Sequence, residues 1–345
     1  MPSSPSPLTT PRSDGCTLAG ALSVAAAVAD GLTVIHGPAG CAHHHVSLLL
    51  TTLLDRPESR MPCLLSDDLG EEEVIFGGEA ALARALDEAV ARSPGSIAVL
   101  STCVAEAIGD DCRAVASRVP GTIPVVVIPV GGFFGGGFLE GERAALHAYG
   151  RLASRLFDPG RGDDEPVVVL VGEKNLEFEA DAHADELGRL LGHLDQAVGL
   201  RFVREAPTAA LGRLPGADLL VLREPALGPV ADRLPVLPGT PRIDAFPVGL
   251  SATVGFLSAV GAALGLDADA ACEAELDHQE TVLARFAGLA GSRVRLPAGN
   301  RWLAELAEAL GLVVDPAGVP LPVPDPAPVG TAGIARLLSR WRRAL

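Results

Sequence analysis

The chain has 345 residues, which suffices for two or three domains, and 48% of them are hydrophobic, so sizeable apolar cores can form. Its net charge of −16 argues against nucleic acid and anionic membranes as partners. No apolar run reaches the roughly 18 residues that a membrane-spanning helix needs. Residues 1–14 are rich in Pro, Ser and Thr and do not resemble a signal peptide, so we expect a disordered tail on a cytoplasmic protein.

Short apolar strands alternate with helices along the chain. A helix is predicted over residues 22–29, a buried strand over 32–35, an irregular acidic stretch over 61–73 and a strand edge over 74–78. The other predicted helices cover 79–92, 139–157, 181–194, 251–264, 270–288, 300–310 and 334–345, with another starting within 106–111, and the other strands cover 97–100, 123–130, 166–172 and 219–222. This alternation predicts an α/β fold with parallel sheets covered by helices on both faces.

Two polar or irregular stretches suggest how the chain divides. The polar segment 158–165 predicts a domain boundary, which gives an N-terminal domain over 15–160 and a second domain over 165–265. Residues 266–345 are predicted to form a mainly helical C-terminal region. Within the helix predicted over 251–264, we expect Val254, Leu257 and Leu264 to face the core.

The six cysteines are the most informative residues for chemistry. They are Cys16, Cys41, Cys63, Cys103, Cys112 and Cys272. In a cytoplasmic protein they are expected to be thiols or metal ligands rather than disulfides. No Cys-x-x-Cys pair occurs, which disfavours zinc ribbons and ferredoxin-type sites.

Two of these cysteines follow predicted strands directly. The strand over 32–35 ends in a Gly-Pro-Ala-Gly turn that leads to Cys41, and Cys103 comes just after the strand over 97–100. Functional groups of parallel sheets gather at the carboxyl ends of the strands, so Cys41 and Cys103 could lie together. Two interpretations remain open at this point: buried inert cysteines, or thiolates that converge on an iron–sulfur cluster.

Four motifs occur in a fixed order in the first 111 residues: CTLAGA at 16–21, HGPAGC at 36–41, VIFGG at 74–78, and STC at 101–103 with IGDD at 108–111. They resemble the signature of the nitrogenase component 1 superfamily. That superfamily includes the nitrogenase molybdenum–iron protein subunits and their cofactor-assembly scaffold, the dark-operative protochlorophyllide and chlorophyllide reductases, and the reductive cyclase of coenzyme F430 synthesis. Segments 168–172, 241–249 and 253–257 resemble its second domain.

The resemblance implies a fold and a cofactor. It implies stacked Rossmann-like α/β domains with parallel sheets, of which the first, 15–160, binds a cluster and the third is truncated. It implies that Cys16, Cys41 and Cys103, with Gly40 in the same loop, hold a [4Fe–4S] cluster near a subunit interface. The fourth ligand stays open between Cys63, Asp67, Asp68 and a residue of a partner chain.

The resemblance also implies partners and an activity. Electrons would come from an ATP-hydrolysing iron protein, and the chain would form a homodimer or a heterodimer with a related subunit. The stretch 221–225 lacks the cysteine that binds the nitrogenase cofactor, and the third domain is reduced to about 291–314. We therefore expect a reductase of a small molecule, with tetrapyrroles as the leading class. The alternatives are a non-catalytic scaffold for cofactor assembly and a cluster-free structural subunit.

The candidates for proton transfer are His43, His44 and Glu106. The histidine run 43–45 either faces a substrate, as proton donor or axial ligand to a tetrapyrrole metal, or consists of ordinary polar residues at the start of a helix. Glu106 is either a proton donor or, with Asp110 and Asp111, a helix-capping residue. His36 is expected to shape the turn before Cys41. The glycine-rich stretch 131–137 lacks the lysine of a phosphate-binding Walker A loop and is interpreted as a loop over the site.

Overall fold

The structure is a computed structural model that describes residues 15–53, 61–160, 166–173, 175–176 and 179–345. The tail predicted over 1–14 lies outside the described residues. The chain divides into two compact units. Among the described residues, the larger contains those between 15 and 176 together with Gly199–Thr240, and the smaller contains Glu179–Val198 and Pro241–Leu345. The domain limits 15–160, 165–265 and 266–345 stay a prediction.

The first sheet of the larger unit has four strands in the order β2-β1-β3-β4, and all neighbouring strands run parallel. In chain order, its elements are α1 (Thr17–Ala25), β1 (Gly31–His36), α2 (Ala39–Leu53), β2 (Cys63–Ser66), α3 (Glu71–Phe76), α4 (Glu79–Ala91), β3 (Ser96–Ser101), α5 (Cys103–Ile108), α6 (Cys112–Ala116), β4 (Val125–Pro129) and α7 (Phe138–Leu156). Apolar side chains on both faces of β1 and β3 are buried, which is why these strands read as continuous apolar runs.

The register of β1 and β3 sets the position of the candidate site. His36 pairs with Ser101, so the two strands end side by side at one edge of the sheet. The chain enters α2 after β1 and α5 after β3. The residues that begin these two helices are therefore neighbours in space.

Helices α1 and α7 cross with their backbones in direct contact. A Cβ atom on Gly20 would lie 1.8 Å from the carbonyl oxygen of Phe138, and one on Gly141 would lie 1.9 Å from that of Thr17. Thr17 also donates a hydrogen bond of 2.6 Å from Oγ1 to the carbonyl oxygen of Val130. Glycine at both crossing positions is what lets α1 sit this close to α7.

The chain continues with β5 (Val168–Val171), α8 (Ala180–Gly192), β6 (Val198–Phe202), β7 (Leu219–Leu222), α9 (Gly228–Ala231), β8 (Arg242–Ile243), α10 (Leu250–Leu264), α11 (Asp269–Ala284), β9 (Arg293–Arg295), α12 (Arg301–Ala309), β10 (Val313–Val314), β11 (Val319–Pro320) and α13 (Gly330–Ala344). In the larger unit β5 pairs in parallel with β7, and every residue of both strands is buried. None of the described helices is long and apolar enough to cross a membrane.

The smaller unit packs its helices around Leu306, Leu337 and Trp341, beside a parallel sheet of order β10-β9-β11. A buried ionic network ties three of its helices together. Arg189 of α8 donates to Glu186 of the same helix and to Glu275 of α11, all at 2.8 Å. Glu275 accepts a hydrogen bond from the hydroxyl of Thr331 on α13.

The predicted α/β fold with parallel sheets is confirmed. The predictions for 61–73 and 74–78 are wrong, because β2 and α3 occupy these segments. Three glutamates open α3, where negative charge favours a helix, and no residue of α3 is buried, so its apolar residues do not mark a strand. The helix predicted over 22–29 instead covers Thr17–Ala25, and the one expected to start within 106–111 is two short helices, α5 and α6.

Helix α10 confirms only part of the buried face predicted for it. Leu257 is buried as expected, whereas Val254 and Leu264 are half-buried. The core-facing side chains include Thr253, Phe256 and Val260 instead. The missed residue is Thr253, whose hydroxyl is satisfied by a hydrogen bond of 2.6 Å to the carbonyl oxygen of Gly249 and can therefore be buried.

Candidate metal centre

Three cysteines lie at the amino ends of helices. Cys16 is the residue before α1, Cys41 lies in the first turn of α2, and Cys103 is the first residue of α5. All three thiols are free, and none of them is fully buried. The amino end of a helix favours negative charge and therefore the thiolate form, which is the form that binds metals.

Cys16 and Cys41 are linked by His45, which contacts Cys16 Sγ and the carbonyl oxygen of Cys41. Burial raises the pKa of the Cys41 thiol, and the negative charges of Cys16 and Cys103 raise it further. Within the described part of the chain, no three His, Cys, Asp or Glu side chains converge tightly enough to hold a single metal ion.

Two of the sulfur atoms accept or share hydrogen bonds. The backbone N–H of Gly132 donates to Cys103 Sγ at 3.1 Å, and His45 Nε2 lies 3.4 Å from Cys16 Sγ. The hydrogen bond with His45 lowers the pKa of Cys16 to about 7 although burial opposes the shift. Such bonds stabilise thiolates and tune the potential of a cluster that the thiolates hold.

Two buried hydroxyls stand directly before Cys103. Ser101 Oγ and Thr102 Oγ1 have no hydrogen-bond partner among the described residues. A buried hydroxyl without a partner is costly, and each of these groups can donate one hydrogen bond to an acceptor such as a sulfide or thiolate. Three thiols, a backbone donor at one sulfur and two unsatisfied hydroxyls fit the chemistry of an iron–sulfur cluster.

The histidine run on α2 divides into two kinds of environment. His43 and His44 are exposed, whereas His45 is buried. His45 Nδ1 lies 2.6 Å from the carbonyl oxygen of Cys41, one turn earlier on the helix. Burial lowers the pKa of His45, but its interactions with Cys16 and its hydrogen bond with the carbonyl oxygen of Cys41 together outweigh burial and raise the pKa. The sequence singled out His43 and His44, and the four-residue spacing between Cys41 and His45 is the signal that distinguishes the third histidine.

A buried ionic cluster supports the turn that leads to Cys41. His36 Nδ1 bonds to Asp67, and His36 Nε2 lies 2.9 Å from Asp110 Oδ2. Burial lowers the pKa of His36, but the hydrogen bond to Asp67 and the nearby Cys112 outweigh it and raise the pKa to about 10. His36 is therefore a buried imidazolium, and sequence reasoning missed its two carboxylate partners.

The two carboxylates around His36 also bind backbone groups. Asp67 accepts a hydrogen bond of 3.0 Å from the N–H of Gly37, and Asp110 accepts from the N–H of Gly78 at 2.9 and 3.0 Å. A Cβ atom on Gly37 would lie 2.2 Å from Thr102 Oγ1. The turn is therefore fixed from β2, from the loop after α5 and from the end of β3, in agreement with the expectation that His36 shapes it.

Cys63 lies away from the other three cysteines. It pairs with Leu32 near the start of β1, whereas Cys41 follows the end of that strand. At about 3.3 Å per step along the strand, the four steps from Leu32 to His36 separate the two ends of β1 by roughly 13 Å. The Cys63 sulfur accepts a hydrogen bond of 3.5 Å from Arg92.

The remaining predicted residues have less specific surroundings. Gly40 is exposed with open space around it. Glu106 is half-buried in the first turn of α5, and Asp111 accepts a hydrogen bond of 3.0 Å from the N–H of Ala114, which caps α6. Asp68 is exposed and accepts from Ser66 Oγ at 2.6 Å.

Comparison with known proteins identifies a family. The family model described as nitrogenase component 1 type oxidoreductase matches residues 16–323. The nitrogenase iron-molybdenum cofactor biosynthesis protein NifE of Clostridium pasteurianum is 37% identical over 139 residues, which cover 40% of this chain and 30% of NifE. One of the subunits of the light-independent protochlorophyllide reductase of Methylocella silvestris is 32% identical over 256 residues, which cover 72% of this chain and 49% of the reductase subunit.

A solved structure shares the fold. The structure described as "Nitrogenase Cp1 at pH 5" aligns with a TM-score of 0.67 at 22% identity and covers 92% of this chain and 65% of its own. The chain thus spans less than two thirds of the length of each of these relatives, and less than a third of the NifE protein.

Proposed function

Because the chain belongs to the family of nitrogenase component 1 type oxidoreductases, we propose that it is the iron–sulfur component of a nitrogenase-like reductase. Cys16, Cys41 and Cys103 are its proposed ligands to a [4Fe–4S] cluster, which supplies one-electron chemistry when bound. The observation that carries the proposal is geometric: His45 contacts both Cys16 Sγ and the carbonyl oxygen of Cys41, and the N–H of Gly132 donates to Cys103 Sγ. Cys63 is left out of the proposed ligand set because it lies at the other end of β1.

The chain's own residues have distinct parts in this proposal. The donor at Gly132 and the hydrogen bond between His45 and Cys16 stabilise the thiolates. The ion pairs of His36 hold the turn before Cys41 in place. The exposed His43 and His44 and the half-buried Glu106 follow the cysteines on α2 and α5, and they are the proposed proton donors to a substrate.

The proposed partners follow from the family. Electrons come from an ATP-hydrolysing iron protein, and the chain pairs with a second copy or with a related component 1 subunit. The substrate is a small molecule, and a tetrapyrrole is the leading class because a protochlorophyllide reductase polypeptide aligns with 72% of this chain.

A second function, a non-catalytic scaffold for assembly of a nitrogenase-type metal cofactor, is favoured by a different relative. The cofactor biosynthesis protein NifE of Klebsiella pneumoniae is 30% identical over 73% of this chain. A scaffold holds and releases a cluster without consuming a substrate. The two functions therefore differ in the number of turnovers that one protein molecule supports.

The test is an anaerobic assay with an iron protein, ATP, dithionite and a set of cyclic tetrapyrroles that includes protochlorophyllide. A reductase converts more than one equivalent of a tetrapyrrole per protein. The Cys41→Ser variant should show no turnover, whereas Cys63→Ser should retain it. Transfer of one cluster to a metal-free acceptor protein, with no tetrapyrrole consumed, would replace the reductase proposal with the scaffold.

A further inference from the structure

We propose that the hydroxyl of Thr102 donates a hydrogen bond to an inorganic sulfide of the cluster and raises the reduction potential of the cluster. This inference rests on the proposed function, because the sulfide belongs to the cluster that Cys16, Cys41 and Cys103 are proposed to hold. It does not depend on which residue, of this chain or of a partner subunit, binds the fourth iron.

The Thr102 hydroxyl is buried without a hydrogen-bond partner among the described residues. Thr102 as a whole is only 2% exposed. It is the residue before α5, where a threonine ordinarily caps the helix, yet its side chain makes no capping hydrogen bond. Burying a hydroxyl without an acceptor is costly, so a bound acceptor is the natural explanation for such a group next to a proposed ligand.

The two faces of the first sheet distinguish Thr102 from Ser101, the other buried hydroxyl. Leu100 of β3 packs in the core that contains α1, whereas Val99 packs in the core that contains α4. Side chains of a strand alternate between its faces. Ser101 therefore lies on the α4 face, and Thr102, whose backbone is still extended, lies on the α1 face.

The contact with Gly37 agrees with this placement of Thr102. His36 pairs with Ser101, so Gly37 and Thr102 are the next residues along the two neighbouring strands. A Cβ atom on Gly37 would lie 2.2 Å from Thr102 Oγ1. The hydroxyl therefore lies against the turn that carries the chain from β1 to α2.

The proposed ligands lie on the same face as Thr102. Cys41 packs against the core that contains α1, and Cys16 is the residue directly before α1. Cys112, by contrast, packs in the core that contains α4. The hydroxyl of Thr102 is thus on the side of the proposed cluster, and the hydroxyl of Ser101 is on the other side of the sheet.

The hydrogen bond has a defined effect on the potential. A hydroxyl donates one hydrogen, and a sulfide is an anionic acceptor. Donation to a sulfur stabilises the more negative, reduced state of a cluster more than its oxidised state, which raises the reduction potential. Thr102 keeps its proton throughout, and no covalent bond forms or breaks.

The first test is the stability of the metal-free protein in denaturant. Thr102→Val keeps the shape of the side chain and removes a hydroxyl for which the described residues offer no acceptor, so it should unfold at the wild-type denaturant concentration or higher. The matched control is Thr208→Val in the same compact unit, where the hydroxyl donates to Asp30 at 2.7 Å, and it should unfold at a lower concentration. Equal destabilisation by the two substitutions would overturn the inference, because the Thr102 hydroxyl would then have a partner without the cluster.

The second test is the midpoint potential of the anaerobically reconstituted protein, measured by a redox titration that EPR follows. We expect Thr102→Val to bind as much iron and sulfide as the wild type and to have a lower midpoint potential. Thr102→Ser, which restores the hydroxyl, should have the wild-type potential, and so should Ser101→Ala, which removes the hydroxyl on the other face. Because Thr102→Val can lose the cluster, loss of iron from this variant with retention in Thr102→Ser would also support the hydrogen bond.

The outcomes separate this inference from the proposed function. Thr102→Val protein that holds the cluster at the wild-type potential would overturn the inference and leave the three-cysteine site standing. A Thr102→Ser potential as low as that of Thr102→Val, or an equal shift in Ser101→Ala, would overturn it as well. Wild-type protein that binds neither iron nor sulfide after reconstitution would overturn both.

Discussion

Replacing Gly20 by alanine tests whether the contact between α1 and α7 positions Cys16. The new Cβ atom would lie 1.8 Å from the carbonyl oxygen of Phe138 and 2.8 Å from the backbone nitrogen of Glu142. Real Cβ contacts essentially never fall below 3.0 Å, and both neighbours are backbone atoms that cannot rotate away. The helices must therefore separate by about 1 Å, which moves the start of α1 and with it Cys16.

The size of the effect follows from two opposing terms. Alanine stabilises a helix relative to glycine by roughly 0.5–1 kcal/mol, but overpacking costs about 1–3 kcal/mol and more when backbones collide. The matched control is Gly255→Ala on α10, where a Cβ atom meets nothing within 4 Å. Denaturant unfolding of the metal-free proteins should show Gly255→Ala slightly stabilised and Gly20→Ala destabilised by about 2 kcal/mol or more, with reduced iron binding in anaerobic reconstitution. Equal stability of the two variants would refute the close-contact argument.

Three further predictions address protonation and buried charge. The pKa of His36 is raised to about 10 in the fold. Its ion pairs therefore contribute their full stabilisation of the folded protein below a pH of about 6.5, and this contribution is lost as the pH rises toward 10. The unfolding free energies of the wild type and His36→Gln should thus converge with rising pH. The rate at which iodoacetamide alkylates Cys16 in the metal-free protein, measured by mass spectrometry, should rise with pH with a midpoint near pH 7. In His45→Gln this midpoint should move toward 9.0. Arg189→Leu leaves the buried carboxylates of Glu186 and Glu275 without their cation and should destabilise the protein by about 3–5 kcal/mol. Arg293→Leu, which removes an exposed ion pair with Asp315, should change the stability much less. A pH-independent His36 difference, a Cys16 midpoint near 9 or equal arginine effects would contradict these predictions.

The elements that the sequence predicted correctly have either one buried face, as α4 does, or every residue buried, as β3 does. The strand over 97–100 lies within β3, and the helix over 79–92 matches α4, in which Leu82, Leu86 and Ala89 are buried. The spacing of apolar residues along the chain indicates which side chains are buried, and in these elements the buried side chains follow that spacing. The placement of Cys41 and Cys103 after neighbouring strands followed from the same reasoning.

The elements that the sequence did not predict correctly are α3 and β2, in which no residue is fully buried. Helix α3 exposes Ile75 and Phe76, so its apolar residues suggested a strand. Strand β2 is only half-buried and follows no clear alternation. In both cases the local sequence carried no burial signal from which the element type could be read.

The polar partners around the site depend on contacts that are distant in sequence. His36 and Asp110 are 74 residues apart, and Cys16 and His45 are 29 apart. No local sequence pattern predicts such pairs, because the residues meet only through the arrangement of the strands in the sheet and of the helices that follow them. The four-residue spacing of Cys41 and His45 was present in the sequence, but it gained meaning only once the structure showed which of the three histidines is buried.

Iron and acid-labile sulfide content of the anaerobically reconstituted protein tests most directly whether Cys16, Cys41 and Cys103 hold one cluster. The wild type should bind about four irons and four sulfides per chain. Cys41→Ser should lose most of both, whereas Cys63→Ser, which removes a thiol at the far end of β1, should bind as much as the wild type. Equal iron and sulfide in Cys41→Ser and the wild type, or loss in Cys63→Ser alone, would contradict the proposed site.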